Sequence, residues 1–481
     1  MSFEQTLAQW LPAQRWFAGR DEPAGGLTIV TDTRLVVGDP ELRHLIVSLP
    51  RSGGAARYQV LAGLRRRVPA ALRHAVIGPV DGGRTAYDAL HDPELSRVLV
   101  DGVAAGRTAG QLTFGREPGV PAGSWGAGAG SRVLTAEQSN TSVVFGESVI
   151  LKVLRRIFPG ENPDLEVASA LAQLGSARIA PPLGRIHTEL AGEPVLLAVL
   201  SQYLANATDG WTLAAASLGH LYDGHRGYER DYLRVPVTTA GDAGGTTRAG
   251  GQSLLDAGDA GDQGRDPHFR GEAYLLGRAT AEMHADLATA FGTRQLKPAE
   301  LTLLAAQMTR KLEQATAEVP QLGRHGAKLR AAFADVAAMT DPVPVQRVHG
   351  DYHLGQVLRT QAGWVALDFE GEPAVPLAVR RAVAPALRDV AGLLRSLDYA
   401  ARHRLLGHPD EARLRKPAGT WAQRCQASFC AGYAQAGGMD PRRHAPLLRA
   451  MMLEKAVYEV TYEARHRPSW LSIPLDSIAA A

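Results

Sequence analysis

The hydrophobic pattern changes character along the chain. Residues 3–17 form an amphipathic segment, and short β-like runs follow at 43–47 and 58–61. Two further runs, 142–145 and 148–153, flank Gly146-Glu147 and predict a hairpin, because β-branched residues bracket a turn. A helix is expected from Pro163, with Asp164 and Glu166 in its first turn, where the helix dipole favours carboxylates. Residues 194–204 return to strand. From about residue 272 the pattern is mainly helical, interrupted by apolar runs at 344–348 and 364–367. This order predicts an α+β chain in which a small β-rich lobe precedes a larger helical one.

Two stretches lack any period. Residues 116–131 are rich in glycine and proline, and 238–266 are mostly Gly, Ala, Asp and Thr. Neither can bury enough apolar surface to offset its backbone entropy, so both are expected as linker or loop. They divide the chain into an amino-terminal unit, 1–115, a β-rich lobe, 131–205, and a helical lobe, 206–481, that carries a flexible insertion at 238–266. The first unit offers no catalytic group, and its Trp16-Phe17 pair reads as core.

Composition narrows the function classes. Hydrophobic residues make up 45% and charged residues 21%, the balance of a globular protein. The 52 basic and 49 acidic residues leave +3, too little to grip nucleic acid or an anionic membrane, and Arg65-Arg66-Arg67 reads as solvated surface. Cys425 and Cys430 match neither a zinc site nor a redox pair. The Met1-Ser2-Phe3-Glu4 start lacks signal-peptide character, and the longest apolar stretch is far short of a membrane span, so a cytoplasmic protein is expected.

The strongest chemical signal is His349-Gly350-Asp351-Tyr352-His353-Leu354-Gly355-Gln356, followed by Asp368-Phe369-Glu370. Phosphoryl transfer needs a carboxylate at the acceptor hydroxyl, oxygen ligands for a metal that bridges the phosphates, and a cation on the phosphates. Asp351 supplies the first; Gln356, five residues on, and Asp368, after an apolar strand, supply oxygen donors of the kind hard Mg²⁺ prefers. Near the carboxyl end, Lys455, Tyr458, Glu459 and Tyr462 fall at i, i+3, i+4 and i+7. One helical face thus presents a cation, two phenols and a carboxylate, groups that bond and stack on a sugar, with Trp470 shortly after.

HGDYHLGQ and LDFEGEP resemble the catalytic and metal motifs of aminoglycoside-phosphotransferase-like kinases, a bilobal branch of the protein-kinase superfamily. Against the protein-kinase pattern, Gly350 stands for arginine, Gln356 for asparagine and Glu370 for glycine. The resemblance implies ATP and Mg²⁺, with Lys152 on the phosphates and Glu166 as its helix-borne partner. No G-x-G-x-x-G loop is present; Gln138, Ser139, Asn140 and Thr141 stand in its place, and the backbone at Gln202 and Leu204 is expected to meet adenine. Asp389 is implied as a brace for the catalytic loop and His349 as structural, while His353 and Arg388 are placed near the substrate.

The segments EQSNTSVVFGESVILKVLRR, FPGENPDLEVA, NATDGW and LEKAVYEVTYEARHRPSWLSIPL, together with RWFAGR near the start, are similar to actinobacterial maltokinases. That resemblance implies an amino-terminal cap on a kinase that phosphorylates the anomeric hydroxyl of maltose, working alongside trehalose/maltose-interconverting and maltosyltransferase enzymes. Glucosamine, another sugar or an aminoglycoside is the alternative acceptor, and a nucleotide-binding pseudokinase the alternative class. A cationic acceptor calls for a carboxylate-rich pocket, so Lys455 on the sugar face favours a neutral sugar.

Overall fold

The computed structural model describes residues 2–17, 26–51, 54–123, 125–126, 128–134, 139–223, 268–372 and 377–481; the expected insertion at 238–266 and Gln138 lie outside them. The chain divides into two compact units, residues 1–175 with 179–205, and residues 176–178 with 206–481.

The first unit opens with α1 (Phe3–Trp10), where Ser2 and Gln5 form a reciprocal capping box. Within the amphipathic segment 3–17 the α-helix ends at Trp10, because Pro12 has no N–H to continue the ladder and a 3₁₀ turn takes over. Strands β1 (Thr28–Val36), β2 (Glu41–Leu49), β3 (Ala56–Arg65), β4 (Val76–Val80) and β5 (Arg84–Asp88) form a sheet in the order β1-β2-β3-β5-β4. After α2 (Pro93–Ala105) come β6 (Thr108–Ala109), β7 (Leu112–Arg116), β8 (Ser131–Val133), β9 (Asn140–Phe145) and β10 (Val149–Leu154). The hairpin expected at Gly146 is β9–β10, with Phe145 opposite Val149 and Gly146 in the left-handed region its turn requires. Then follow β11 (Arg156–Ile157), α3 (Pro163–Gln173), β12 (Pro182–Leu190) and β13 (Glu193–Gln202), giving a second sheet ordered β6-β7-β12-β13-β10-β9-β8.

The two sheets are not separate bodies within this unit. Strands β2 and β3 are buried almost throughout, which means both faces of their sheet are covered. Alternation sorts the side chains. Leu45, Val47, Val60 and Ala62 pack with Leu7, Leu11 and Phe17 on one face, while Leu42, Ile46 and Leu61 join Val143, Leu151 and Leu197 of the second sheet on the other. Strand β11 pairs with the start of β3, at Arg57 and Tyr58, beyond the residues that β5 takes. Buried polar groups stitch the seam: Gln59 Nε2 donates to the carbonyls of Leu154 and Leu197, both at 2.6 Å. Arg155, 1% exposed, pairs with Asp88 and donates from Nε to Thr141 Oγ1 at 2.8 Å. The segment expected as a cap, 1–115, therefore shares one core with 131–205.

The second unit contains β14 (Thr208–Asp209), α4 (Gly210–Asp223), α5 (His268–Phe291), β15 (Thr293–Leu296), α6 (Pro298–Glu318), α7 (Gly326–Ala337) and β16 (Val343–Gln346). It continues with β17 (Val357–Thr360), β18 (Gly363–Ala366), α8 (Leu377–Arg380), α9 (Leu387–His403), α10 (Glu411–Gln435), α11 (Ala445–His466) and α12 (Ser472–Ala480). Helices α5 and α10 meet backbone to backbone. A Cβ on Gly277 would fall 2.1 Å from the Phe429 carbonyl oxygen, and one on Gly432 would fall 2.1 Å from that of Tyr274. No helix among the described residues is long and apolar enough to cross a membrane.

The shared core makes a sharp prediction for truncation. A fragment beginning at residue 131 loses about half of the cluster that packs on Val143, Leu151 and Leu197 and uncovers them, so its β-rich lobe is expected to be insoluble or molten. A soluble fragment with a cooperative thermal transition would contradict the shared core.

Candidate active site

In the second unit the catalytic-motif loop hangs on one buried carboxylate. Asp389, in the first turn of α9 and 1% exposed, accepts from the backbone N–H of His349 at 2.7 Å and of Gly350 at 2.9 Å. Its Oδ2 also lies 3.0 Å from His284 Nε2, and His284 Nδ1 lies 2.8 Å from the Tyr433 hydroxyl. With Nε2 donating to Asp389, Nδ1 is free to accept from Tyr433, so one tautomer satisfies the whole chain of bonds. Burial opposes ionisation of Asp389, but the His284 hydrogen bond, the neighbouring histidines and the Gly350 N–H together hold its carboxyl below the usual range. Gly350 has φ +87°, a conformation that an L side chain adopts only under strain, which explains why no arginine stands there.

His349 ties the loop to the strand that ends before Asp368. Its Nε2 donates to the Leu367 carbonyl at 2.7 Å, and its Nδ1 accepts from the Asp351 N–H at 3.4 Å. Strands β17 and β18 pair Val357 with Ala366, and the Leu367 N–H extends the ladder to the Gln356 carbonyl at 2.9 Å. Gln356 and Asp368 are thereby brought to the same end of the hairpin. Asp368 is one of three non-glycine residues with positive φ among the described residues, at 67°, a strain that the surrounding structure must hold. The Asp368 carboxylate lies within 4.8 Å of that of Glu370, and paired oxygen ligands of this kind fit a hard divalent cation.

Asp351 is half-buried and does not stand alone. Lys455 Nζ lies 3.2 Å from its Oδ1 and 2.7 Å from Glu372 Oε1, while His353 Nε2 lies 3.9 Å from its Oδ2. Burial works against the Asp351 charge, but Lys455 above all, then His353 and His349, hold the carboxyl below the ordinary carboxylate range. Burial also works against the Lys455 charge; Asp351 and Glu372 outweigh it and keep the ammonium above the usual lysine range. The His353 ring is pushed down by burial, and its Nδ1 accepts from the Gly355 N–H at 3.0 Å.

The α11 face expected to meet a sugar is only partly available. The Lys455 ammonium lies 4.8 Å from the centre of the Tyr458 ring, which stacks on Tyr462 at 6.3 Å. Tyr462 is 41% exposed. Glu459 differs from the expectation: both of its oxygens turn inward to the buried guanidinium of Arg395 on α9, which uses the carboxylate to fasten α11. Trp470 packs edge-on to His403 at 4.4 Å under the Arg467 guanidinium. Arg388 is exposed, one position from buried Asp389 and hence on another face of α9.

The first unit holds the residues expected at the nucleotide. Lys152 points away from the core that Leu151 and Val153 enter, and its Nζ bonds Asp164 Oδ2 at 3.2 Å. Asp164 and Glu166 share the first turn of α3, which Asn162 caps by accepting from the N–H groups of Asp164 and Leu165. Ser139 is exposed and Asn140 half-buried at the start of β9, whereas the Thr141 side chain is buried on Arg155. Gln202 ends β13, with its N–H on the Pro181 carbonyl; the Leu204 N–H and carbonyl have no backbone partner among the described residues. His284, Tyr433, Arg395 and Glu372 escaped sequence reasoning. The first three look like ordinary polar positions on helices, and only Glu372, four residues past Asp368 in a run of acids, carried a readable signal.

A loop aspartate braced from a following helix, in the second unit, and a strand lysine bonded to a helix carboxylate, in the first, are each features of kinase-type phosphotransferases. The family model described as the maltokinase N-terminal cap domain matches residues 10–92. A glucosamine kinase of Streptacidiphilus jiangxiensis is 30% identical over 358 residues, 72% of this chain and 72% of that protein. Another from Mycolicibacterium smegmatis is 30% identical over 362 residues, 72% of this chain and 78% of that one. A solved glucosamine kinase in complex with glucosamine, ADP and inorganic phosphate superposes with a TM-score of 0.63 at 25% identity, covering 100% of this chain and 99% of its own. The chain belongs to the family of these glucosamine kinases, and its amino-terminal residues 10–92 carry a cap domain of the maltokinase type built largely of β strands.

Asp389→Asn tests the brace. The amide turns a donor toward groups that already donate, so the variant is expected to lose about 3 kcal/mol of stability in denaturant titrations. The folded carboxyl titrates below its unfolded value; its contribution is therefore full at neutral pH and is lost as pH falls through the folded value. A loss below about 1 kcal/mol would contradict the assignment.

Proposed function

We propose that this protein is an ATP-dependent kinase that phosphorylates the anomeric hydroxyl of maltose. The observation that carries this reading is the contact between Lys455 and Asp351, because it sets the Tyr458–Tyr462 face of α11 beside the catalytic carboxylate. A disaccharide whose reducing end reaches Asp351 has a second glucose to place, and two stacked phenol rings offer it an apolar face with hydroxyls at the rim. The maltokinase-type cap over residues 10–92 supports the same acceptor.

In the reaction the anomeric oxygen forms a bond to the terminal phosphorus of ATP, the bond from that phosphorus to the ADP oxygen breaks, and the hydroxyl proton passes to Asp351. Oδ2 is the atom for that proton, since Lys455 engages Oδ1. The fixed loop keeps the carboxylate in one orientation, so little reorganisation remains at the moment of transfer. A divalent cation held by Gln356 and Asp368 would neutralise charge on the phosphates. Lys152 is assigned to the phosphates, Ser139 and Asn140 to the phosphate-covering loop, and the backbone at Leu204 to adenine. Maltose 1-phosphate made this way suits a maltosyltransferase that extends an α-glucan.

A second reading, glucosamine as the acceptor, is favoured by the two glucosamine kinases that match 72% of the chain. Purified protein with Mg-ATP is expected to give a higher kcat/KM on maltose than on glucosamine, with the product phosphorylated at the reducing end. Asp351→Asn should cut turnover by about 10²–10⁴-fold while ATP binding persists. Faster turnover of glucosamine would replace maltose in this reading, and a fully active Asp351→Asn protein would move the base elsewhere.

A further inference from the structure

Two carboxylates and one ammonium meet beside the acceptor end of the site. Lys455 Nζ sits 2.7 Å from Glu372 Oε1 and 3.2 Å from Asp351 Oδ1, and the side chains of all three are less than a quarter exposed. Lys455 belongs to α11, Glu372 to the segment after β18 and Asp351 to the motif loop, so three distant stretches converge on this point. Removing the lysine would leave two carboxylates facing each other in a half-buried space, which is unfavourable unless another cation enters.

That space is a seat for one ammonium. With its anomeric hydroxyl at Asp351, a 2-amino sugar carries its own ammonium on the adjacent carbon, within a few ångströms of the same carboxylates. A neutral sugar brings no cation and needs the charge to be supplied by the protein. Lys455 supplies it, and the Tyr458 ring face beside the ammonium adds a second favourable contact for a cation.

We propose that Lys455 sets the class of acceptor: its ammonium fills the seat between Asp351 and Glu372, so the site takes a neutral sugar and turns away a sugar that brings an ammonium of its own. The inference rests on the neutral-sugar reading and adds the residue that enforces it. An amino sugar entering the native site places a second ammonium beside the first, and like charges at such separations are costly in a half-buried environment. Glu372 is the other wall of the seat. Without it a single carboxylate remains, and it is already committed to the acceptor hydroxyl.

The test compares kcat/KM for glucosamine and maltose, at saturating Mg-ATP, in the native protein, Lys455→Met and the double variant Lys455→Met/Glu372→Gln. Lys455→Met is expected to slow both acceptors but to raise the glucosamine-to-maltose ratio about tenfold or more, the scale of one regained charge-assisted hydrogen bond. The double variant is expected to bring the ratio back toward the native value. Should Lys455→Met be too unstable or too slow to assay, Lys455→Gln keeps the length of the side chain without its charge. Calorimetric affinities for the two sugars then give the same ratio without turnover. An unchanged ratio in the lysine variants, or an equal rise in the double variant, overturns the role of Lys455. A native enzyme that already prefers glucosamine instead overturns the maltose reading, a different result in a different protein sample.

Discussion

The candidate site depends on the Asp389 carboxylate. One buried anion takes the N–H groups of two successive loop residues, His349 and Gly350, and a third bond from His284. Backbone N–H groups in a loop have no ladder to join, and leaving them buried without an acceptor would cost several kcal/mol. Supplying that acceptor from the first turn of α9 fixes the loop to a rigid element, and α5 and α10 secure the carboxylate in turn through His284 and Tyr433. What the loop presents, Asp351 above all, is placed by this arrangement.

Charge balance sets the next layer. Lys455 joins Asp351 to Glu372, and one turn further along α11 Glu459 joins Arg395, which also reaches Asp398 and Ser477. Helix α11, which carries Tyr458 and Tyr462, is therefore held by ionic contacts of opposite sense, through a lysine and, one turn on, a glutamate. Buried pairs of this kind add little net stability over an apolar contact, but breaking one is expensive, so they specify position more than they add strength.

Local patterns were the legible part of the sequence. The β9–β10 hairpin around Gly146, the helix at Pro163 and the strands ending near Gln346 and Ala366 follow from turn chemistry, a capped proline and apolar alternation, all of which act within a few residues. Pairings across long separations were not legible. His284 lies 105 residues from Asp389, and Glu459 lies 64 from Arg395; nothing in periodicity distinguishes a helix-borne glutamate that bonds solvent from one that bonds a buried arginine. The union of the first two β-rich segments into one core was hidden for the same reason. Each strand of β2 and β3 shows mixed apolar positions, and only the fold reveals that odd and even residues serve different cores.

Native-state hydrogen exchange at the amides of His349 and Gly350 tests the brace most directly. If the carboxylate of Asp389 holds both, they exchange only through large-scale opening, with protection close to that of core amides in α9, although they lie in a loop. Exchange of these two amides at the rate of exposed loop positions would contradict the account.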